Sequence, residues 1–184
     1  MEPVLFIIIG VVLVGGLWLV IVFNSLITSR NRVDESWSDI EVQLKRRYDL
    51  IPNLVNTVKG YAKHESSVFE NVTKARTAAM SAGTAAEHAQ AENMLSQTLK
   101  SLFAVAESYP DLKASGNFAH LQSELVDAED KIQAARRFYN SQVRDFNTKL
   151  QVFPTNMVGN MLGFTKREFY DAPEVANATP NVQF

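Results

Sequence analysis

The sequence opens with an unbroken apolar run over residues 4–23, which carries no charged or strongly polar side chain. A helix of this length rises roughly 30 Å, which matches the hydrocarbon thickness of a bilayer. A cleaved signal peptide would need a basic start and a small-residue cleavage site. Residues 1–3 hold no Lys or Arg, and residues 24–27 read Asn-Ser-Leu-Ile. The pattern therefore predicts a retained transmembrane helix, with residues 1–29 as the membrane anchor.

The basic residues beside this run predict its orientation. Arg30 and Arg32 follow it within ten residues, whereas no Lys or Arg precedes it. Lys and Arg are enriched on the cytoplasmic side of membrane spans. We therefore expect the N-terminus outside and residues 24–184 in the cytoplasm.

Beyond the run, apolar residues recur at steps of three and four, which is the period of helices that pack along one face. The first series is Val33, Trp37, Ile40, Leu44, Tyr48, Ile51, Val55, Val58 and Ala62. The last series is Phe118, Leu121, Leu125, Ala128, Ile132, Ala135, Tyr139, Val143, Phe146, Leu150 and Phe153. Neither series alternates with period two, so strands are disfavoured.

Two shorter series, over residues 68–79 and 95–106, predict two helices between the long ones. Gly83 marks the turn between them, and Gly116 opens the last helix. The predicted fold is therefore all-α. An N-terminal transmembrane helix is followed by an antiparallel bundle of about four long helices over residues 30–170.

Pro52 falls inside the first series. An interior proline costs a helix about 3 kcal/mol, so we expect a kink or a break there. A kink is favoured if the seam persists on both sides of the proline. The first helix is also expected to continue upward from the span through residues 24–32.

A short apolar patch follows Pro154. It consists of Met157, Val158, Met161, Leu162 and Phe164. Three interpretations stay open: a cap on the bundle, an interface with a neighbouring subunit, or a contact with the membrane surface. Residues 171–184 hold two prolines and two asparagines, and we expect a flexible tail.

Composition and charge narrow the classes of function. A net charge of −2 gives no electrostatic basis for nucleic-acid binding, and the absence of cysteine excludes disulfides and thiolate chemistry. None of His64, His88 and His120 lies in a Glu-x-x-His or His-Glu-x-x-His motif, and no Gly-x-Ser-x-Gly is present. We therefore expect no metal, no cofactor, no small-molecule substrate and no enzyme activity.

Two similar groups of polar residues lie on the first and the last predicted helix. They are Arg46, Arg47, Asp49 and Asn53, and Arg136, Arg137, Tyr139 and Asn140. In an antiparallel bundle the two groups can face each other, which makes them a candidate interaction surface or a set that fixes helix register. A less favoured hypothesis is an unrecognised enzyme site near Arg47, Asp49, Arg136 and Tyr139, which would need a concave pocket with perturbed titratable groups.

Several long motifs resemble the bacterial LemA family. They are RNRVDESWSDI at 30–40, QLKRRYDLIPNL at 43–54, KGYAKHE at 59–65, AESYPDLKAS at 106–115, ARRFYN at 135–140 and FP at 153–154. The resemblance covers about residues 1–170. It implies a single N-terminal span in the bacterial inner membrane, followed by an antiparallel helical bundle. Some members of the family accompany membrane metalloproteases, and some relatives take part in magnetosome formation. The resemblance carries over no catalytic residues.

These observations predict a membrane-anchored helical scaffold that self-associates or docks a membrane partner, by resemblance a membrane metalloprotease. The lipid bilayer is its expected partner along residues 4–23. The alternative is a membrane-shaping or organising protein that uses the C-terminal apolar patch.

Overall fold

The computed structural model describes residues 2–170, which form six α-helices and no strand. The helices are α1 (Glu2–Tyr61), α2 (Ser66–Met80), α3 (Ala85–Glu107), α4 (Pro110–Lys113), α5 (Gly116–Lys149) and α6 (Thr155–Met161). The predicted all-α fold is thereby confirmed. The predicted tail, residues 171–184, lies outside the described residues.

The chain divides into two compact units. Among the described residues, unit 1 contains residues 2–38 together with Phe138–Glu168, and unit 2 contains Asp39–Arg137 together with Phe169 and Tyr170. Unit 1 therefore holds the start of α1, the end of α5 and all of α6. The predicted limits of the anchor at residue 29 and of the bundle at residue 30 stay a prediction.

Helix α1 is continuous, so the apolar run and the first seam lie on one helix, as predicted. Among the helices of residues 2–170, α1 is the one that is long and apolar enough to cross a membrane, judged by length and composition. Residues 3–21 are exposed, and the buried stripe begins with Val22 and Leu26, which are 8% and 0% exposed. Packing on α1 therefore starts within the last turn of the predicted span, earlier than the seam we read from Val33.

Pro52 does not break α1. A proline has no N–H, which leaves the carbonyl four residues earlier without its helical donor. That carbonyl, Tyr48 O, accepts a hydrogen bond from Arg76 Nε on α2 at 2.8 Å. The defect that Pro52 introduces thus becomes a tie between α1 and α2 within unit 2.

The predicted turn at Gly83 separates α2 from α3, but α3 begins at Ala85, well before the series that starts at Leu95. A capping box starts the helix. Thr84 Oγ1 accepts the Glu87 N–H at 3.2 Å, and the Glu87 carboxylate accepts the Thr84 N–H at 3.0 Å. The apolar series missed this first part of α3 because it is rich in Ala rather than in large apolar residues.

Helix α5 ends at Lys149, whereas the apolar series extended to Phe153. That part of the prediction was wrong, because Phe153 is 79% exposed. Phe153 precedes Pro154, and the residue before a proline is disfavoured in the helical conformation. The large apolar side chain is therefore left on the surface of unit 1.

The tie at Pro52 can be tested by a double-mutant cycle. Arg76→Ala leaves the Tyr48 carbonyl without this donor, so we expect the free energy of unfolding to fall by about 1–3 kcal/mol. Pro52→Ala restores a backbone N–H to that carbonyl, so Arg76→Ala should cost less in the Pro52→Ala background. Chemical unfolding of the protein in mild detergent measures the coupling. Lys74→Ala, at an exposed position of α2, is the control, and an equal cost of Arg76→Ala in both backgrounds would contradict the tie.

Candidate functional site

A buried ionic cluster joins three helices of unit 2. Arg47 Nη1 on α1 lies 2.9 Å from Glu92 Oε2 on α3 and 2.7 Å from Glu129 Oε2 on α5. Arg47 Nη2 donates to Ser96 Oγ at 2.8 Å. The side chains of Arg47 and Glu92 are each 4% exposed, whereas that of Glu129 is 38% exposed. We call Arg47, Tyr48, Glu92, Ser96 and Glu129 the ionic cluster.

Two tyrosines complete the surroundings of Glu92. The Tyr48 hydroxyl donates a short hydrogen bond to Glu92 Oε1. Tyr170 is 1% exposed, and the guanidinium carbon of Arg136 lies 4.3 Å from its ring centroid, a cation–π contact. The charges of Glu92 and Arg47 also act on the pKa of Tyr170, Glu92 in the raising and Arg47 in the lowering direction. Arg136 is therefore brought near the ionic cluster through Tyr170.

Burial governs the acid–base behaviour of these groups. Loss of hydration raises the pKa of Glu92, while the charge of Arg47 and the hydrogen bond from Tyr48 act in the lowering direction. Burial, followed by the hydrogen bond to the Glu92 carboxylate, raises the pKa of Tyr48 above its ordinary value. Burial also raises the pKa of Tyr170 to about 12, against the opposing effect of Arg136. Both tyrosines are therefore neutral at neutral pH, and Tyr48 serves Glu92 as a hydrogen-bond donor.

A surface groove of about 390 Å³ lies beside the ionic cluster. It is lined by Arg47, Asn93, Ser96, Leu99, Lys100, Phe103, Leu125, Val126 and Glu129. Arg47 and Glu129 compensate each other's charge within its wall. In residues 2–170, no three His, Asp or Glu side chains are grouped to hold a metal ion. The chemistry that the cluster offers is charge pairing between helices.

The first predicted polar group spreads around α1. Arg47 is buried in the ionic cluster, whereas Arg46 is half-exposed and pairs with Glu124 at 2.5 Å and with Asp127 at 2.9 Å, both on α5. Asp49 is exposed and pairs with a neighbouring lysine at 3.1 Å. Asn53 is exposed.

The second predicted group is divided between the two units. Tyr139 belongs to unit 1, where its hydroxyl donates to Glu168 O at 2.9 Å and its ring lies edge-on to Trp37 at 5.3 Å. Arg137 is exposed and Asn140 is half-buried. Of this group, Arg136 is the member that the contacts of the described residues bring near Arg47, by way of Tyr170. The role of both groups as an interaction or register surface stays a prediction.

Sequence reasoning missed four residues around the ionic cluster: Glu92, Ser96, Glu129 and Tyr170. Glu92 had a usable signal, because it lies three residues before Leu95 on the apolar stripe of α3. A carboxylate on such a stripe must find a cationic partner when it is buried. Tyr170 gave no periodic signal, since it follows the last helix.

In unit 1 the predicted apolar patch has a packed side and an exposed side. Val158 is buried, and the Phe164 ring lies edge-on to the Phe23 ring at 6.5 Å. Gly159 permits close packing, because a Cβ there would lie only 2.8 Å from Leu150 Cδ2. The exposed members are Met157 at 63%, Met161 at 71% and Leu162 at 45%.

Two basic side chains, Lys149 and Arg30, lie beside the packed side of this patch in unit 1. Lys149 Nζ donates to Ser25 Oγ at 3.0 Å and to Ser29 Oγ at 2.5 Å on α1. The Arg30 guanidinium carbon lies 5.8 Å from the centroid of the Phe164 ring. The contacts of Lys149 therefore lie just beyond the end of the apolar run.

The fold and the ionic cluster define a class: an α-helical bundle protein with one N-terminal helix that fits a membrane anchor. A family model described as LemA family matches residues 36–184, and the chain belongs to that family, which confirms the resemblance.

Three relatives illustrate the match. Magnetosome protein MamQ 2 of Paramagnetospirillum magneticum is 25% identical over 174 residues, and magnetosome protein MamQ of Magnetospirillum gryphiswaldense is 24% identical over the same length. Both comparisons cover 80% of this chain and 64% of the relative, so the chain spans less than two thirds of the MamQ proteins. Protein LemA of Metamycoplasma hominis is 26% identical over 177 residues, which is 95% of this chain and 81% of the relative.

Removing one partner of the buried pair should cost more than removing both. Arg47→Met leaves Glu92 buried without its counter-ion, so we expect the free energy of unfolding to fall by about 3–5 kcal/mol. Adding Glu92→Leu to Arg47→Met removes the orphaned charge and should recover part of that loss. Denaturant titration followed by circular dichroism measures both variants. Arg46→Met, at the half-exposed pairs, is the control and should cost much less than Arg47→Met, because solvent screens exposed ion pairs. A double variant less stable than Arg47→Met would oppose this account.

Proposed function

We propose that this protein is a membrane-anchored helical scaffold, which self-associates or docks a membrane partner and carries out no catalytic step. The observation that carries the proposal is the ionic cluster: Arg47, the most buried cation of unit 2, is committed to Glu92 and Glu129. A guanidinium paired in this way holds helices together. Its charge is already compensated by two carboxylates, so it is not available to pair with an anionic substrate.

The contrasting enzyme hypothesis loses support from the same contacts. Asp49 lies in an exposed ion pair and Tyr139 donates to a backbone carbonyl in unit 1. Asp49 is not among the residues that line the groove beside Arg47. The names of the relatives, magnetosome protein and protein LemA, also denote no reaction.

The side of the membrane is part of the proposal. Arg30 and Arg32 follow the span in sequence, and Lys149 is held beside it through Ser25 and Ser29. The two arginines, which adjoin one end of the span in sequence, favour a cytoplasmic bundle and an external N-terminus in a bacterial inner membrane; Lys149 joins them at this level in the folded protein.

The absence of native cysteine allows a direct test of this orientation. Ser81→Cys, in the turn before α3, should be shielded from a membrane-impermeant maleimide in intact cells and labelled after permeabilisation. Glu2→Cys, at the other end of the span, is the matched control and should be labelled in intact cells. Labelling of Ser81→Cys from outside would overturn the cytoplasmic assignment.

Self-association or partner docking is the second testable element. In mild detergent, light scattering of the full chain should give a protein mass above the 20.6 kDa of one copy, or cross-linking in native membranes should recover a partner. A membrane metalloprotease is the partner that the family resemblance favours. A strict monomer in detergent, with no partner cross-linked in membranes, would contradict the scaffold proposal.

A second candidate function rests on unit 1. The exposed Met157, Met161 and Leu162 belong to the same short segment as Phe164, whose ring packs against Phe23 at the end of the span. That placement supports a membrane-organising role, since an apolar surface at this level can enter lipid.

A further inference from the structure

The C-terminal segment of unit 1 packs at the level where the apolar run ends. Phe164 contacts Phe23, the last residue of that run, and a Cβ on Gly159 would lie 4.0 Å from a methyl group of Leu26. Leu26 is three residues beyond Phe23, or roughly 4.5 Å along the helix axis. The headgroup region extends about 5–7 Å beyond the hydrocarbon on each side of a bilayer. If α1 spans the membrane, these contacts therefore lie at headgroup depth.

The same segment exposes large apolar side chains. Phe153 is 79% exposed, and Met157 and Met161, which lie one helical turn apart on α6, are 63% and 71% exposed. Val158 between them is buried, so α6 has one packed and one open face. An open face of large apolar side chains beside the end of a span can be buried at the boundary between headgroups and acyl chains.

Charge selects the kind of lipid. Residues 24–34 and 149–168, the two stretches that meet here, contain five cations and two acidic residues, Asp34 and Glu168. The cations are Arg30, Arg32, Lys149, Lys166 and Arg167. Arg167 is paired with Asp34 at 2.8 Å, whereas Lys149 donates to two neutral hydroxyl groups. A surface with apolar side chains and an excess of positive charge is complementary to anionic phospholipid.

We infer that residues 152–164, the interfacial segment, insert into the leaflet where the span ends, and that the neighbouring cations bind anionic phospholipid headgroups there. This gives the protein a second membrane contact. The inference rests on the proposed membrane anchoring and deepens the membrane-organising candidate by naming its ligand.

Depth-dependent quenching tests the insertion. Met157→Cys carries an environment-sensitive fluorophore in the otherwise cysteine-free full chain. The protein is reconstituted in vesicles of two parts phosphatidylcholine to one part phosphatidylglycerol. Lipids spin-labelled near the headgroup should quench this probe more than lipids labelled deep in the acyl chain. Met80→Cys, which replaces an exposed methionine of unit 2, is the matched control and should not be quenched by either lipid.

The charge requirement is tested with two pairs of neutralising variants. Arg32→Gln with Lys166→Gln removes two exposed cations beside the segment. The equilibrium constant for insertion of the segment should fall by about fivefold for each cation removed. Lys63→Gln with Lys113→Gln makes the same change of net charge in unit 2 and should leave the quenching at Met157→Cys unchanged. Quenching that is equal in pure phosphatidylcholine vesicles, or equal in the two pairs, would overturn the anionic selectivity.

A probe in the span separates the two proposals. Val12→Cys lies in the middle of the apolar run and should be quenched by the deep spin label. If Val12→Cys is quenched and Met157→Cys is not, the span stands and the interfacial segment is refuted. If Val12→Cys is not quenched, the proposed anchoring fails. Self-quenching at Met157→Cys that grows with protein density, without lipid quenching, would assign the apolar face to a second copy and refute the lipid contact.

Discussion

The arrangement of the described residues depends on one constraint: a single uninterrupted helix, α1, has to suit two solvents. In hydrocarbon a helix must satisfy its backbone internally and present apolar side chains all round, and residues 3–21 have that character. In water the same helix must bury one stripe and expose the rest. The change occurs at Val22 and Leu26, where the buried stripe begins. Because no loop separates the two regimes, the position of this change along α1 sets the level of the residues that pack on it in unit 1.

Farther along α1, apolar stripes alone would leave the register of the helices weakly defined. A slip of one turn moves a residue by about 5.4 Å, which would pull Arg47 away from Glu92 and leave two buried charges uncompensated. The next residue fixes the register a second time, since Tyr48 O, which Pro52 leaves without its helical donor, accepts a hydrogen bond from Arg76. Arg47 and Tyr48 thus bind α2, α3 and α5 through polar contacts with definite geometry. Buried ion pairs contribute little net stability, so we attribute to this cluster the choice of one packing arrangement.

The four long helices were predictable because apolar spacing reports directly on a packed face, and the turns at Gly83 and Gly116 were marked by their glycines. The short helices α4 and α6 were not predicted as helices, and a kink or a break was expected at Pro52. The failures have physical causes. Phe153 fits the series but precedes Pro154, so local backbone preference overrode periodicity. The stripe at Val22 was hidden because every neighbour in the span is apolar, and an all-apolar stretch has no period to read. The partners of Arg47 come from distant segments, and no spacing rule within one helix reveals them. The position of Glu92 on an apolar stripe did indicate that a buried carboxylate needs a cationic partner.

The cations at the membrane end of unit 1 bear on two separate properties. Arg30 and Arg32 adjoin the span in sequence, and the rule that orients spans counts residues at that distance during insertion. Lys149, Lys166 and Arg167 lie more than a hundred residues later in the chain, so they reach this level only once α5 and the segment after it have packed on α1. The proposed headgroup binding therefore draws on Lys149, Lys166 and Arg167 in addition to the two arginines on which the proposed orientation rests. Neutralising Lys166 would weaken a lipid contact of the folded protein without altering the signal that orients the span, so the two properties can be separated within the same protein.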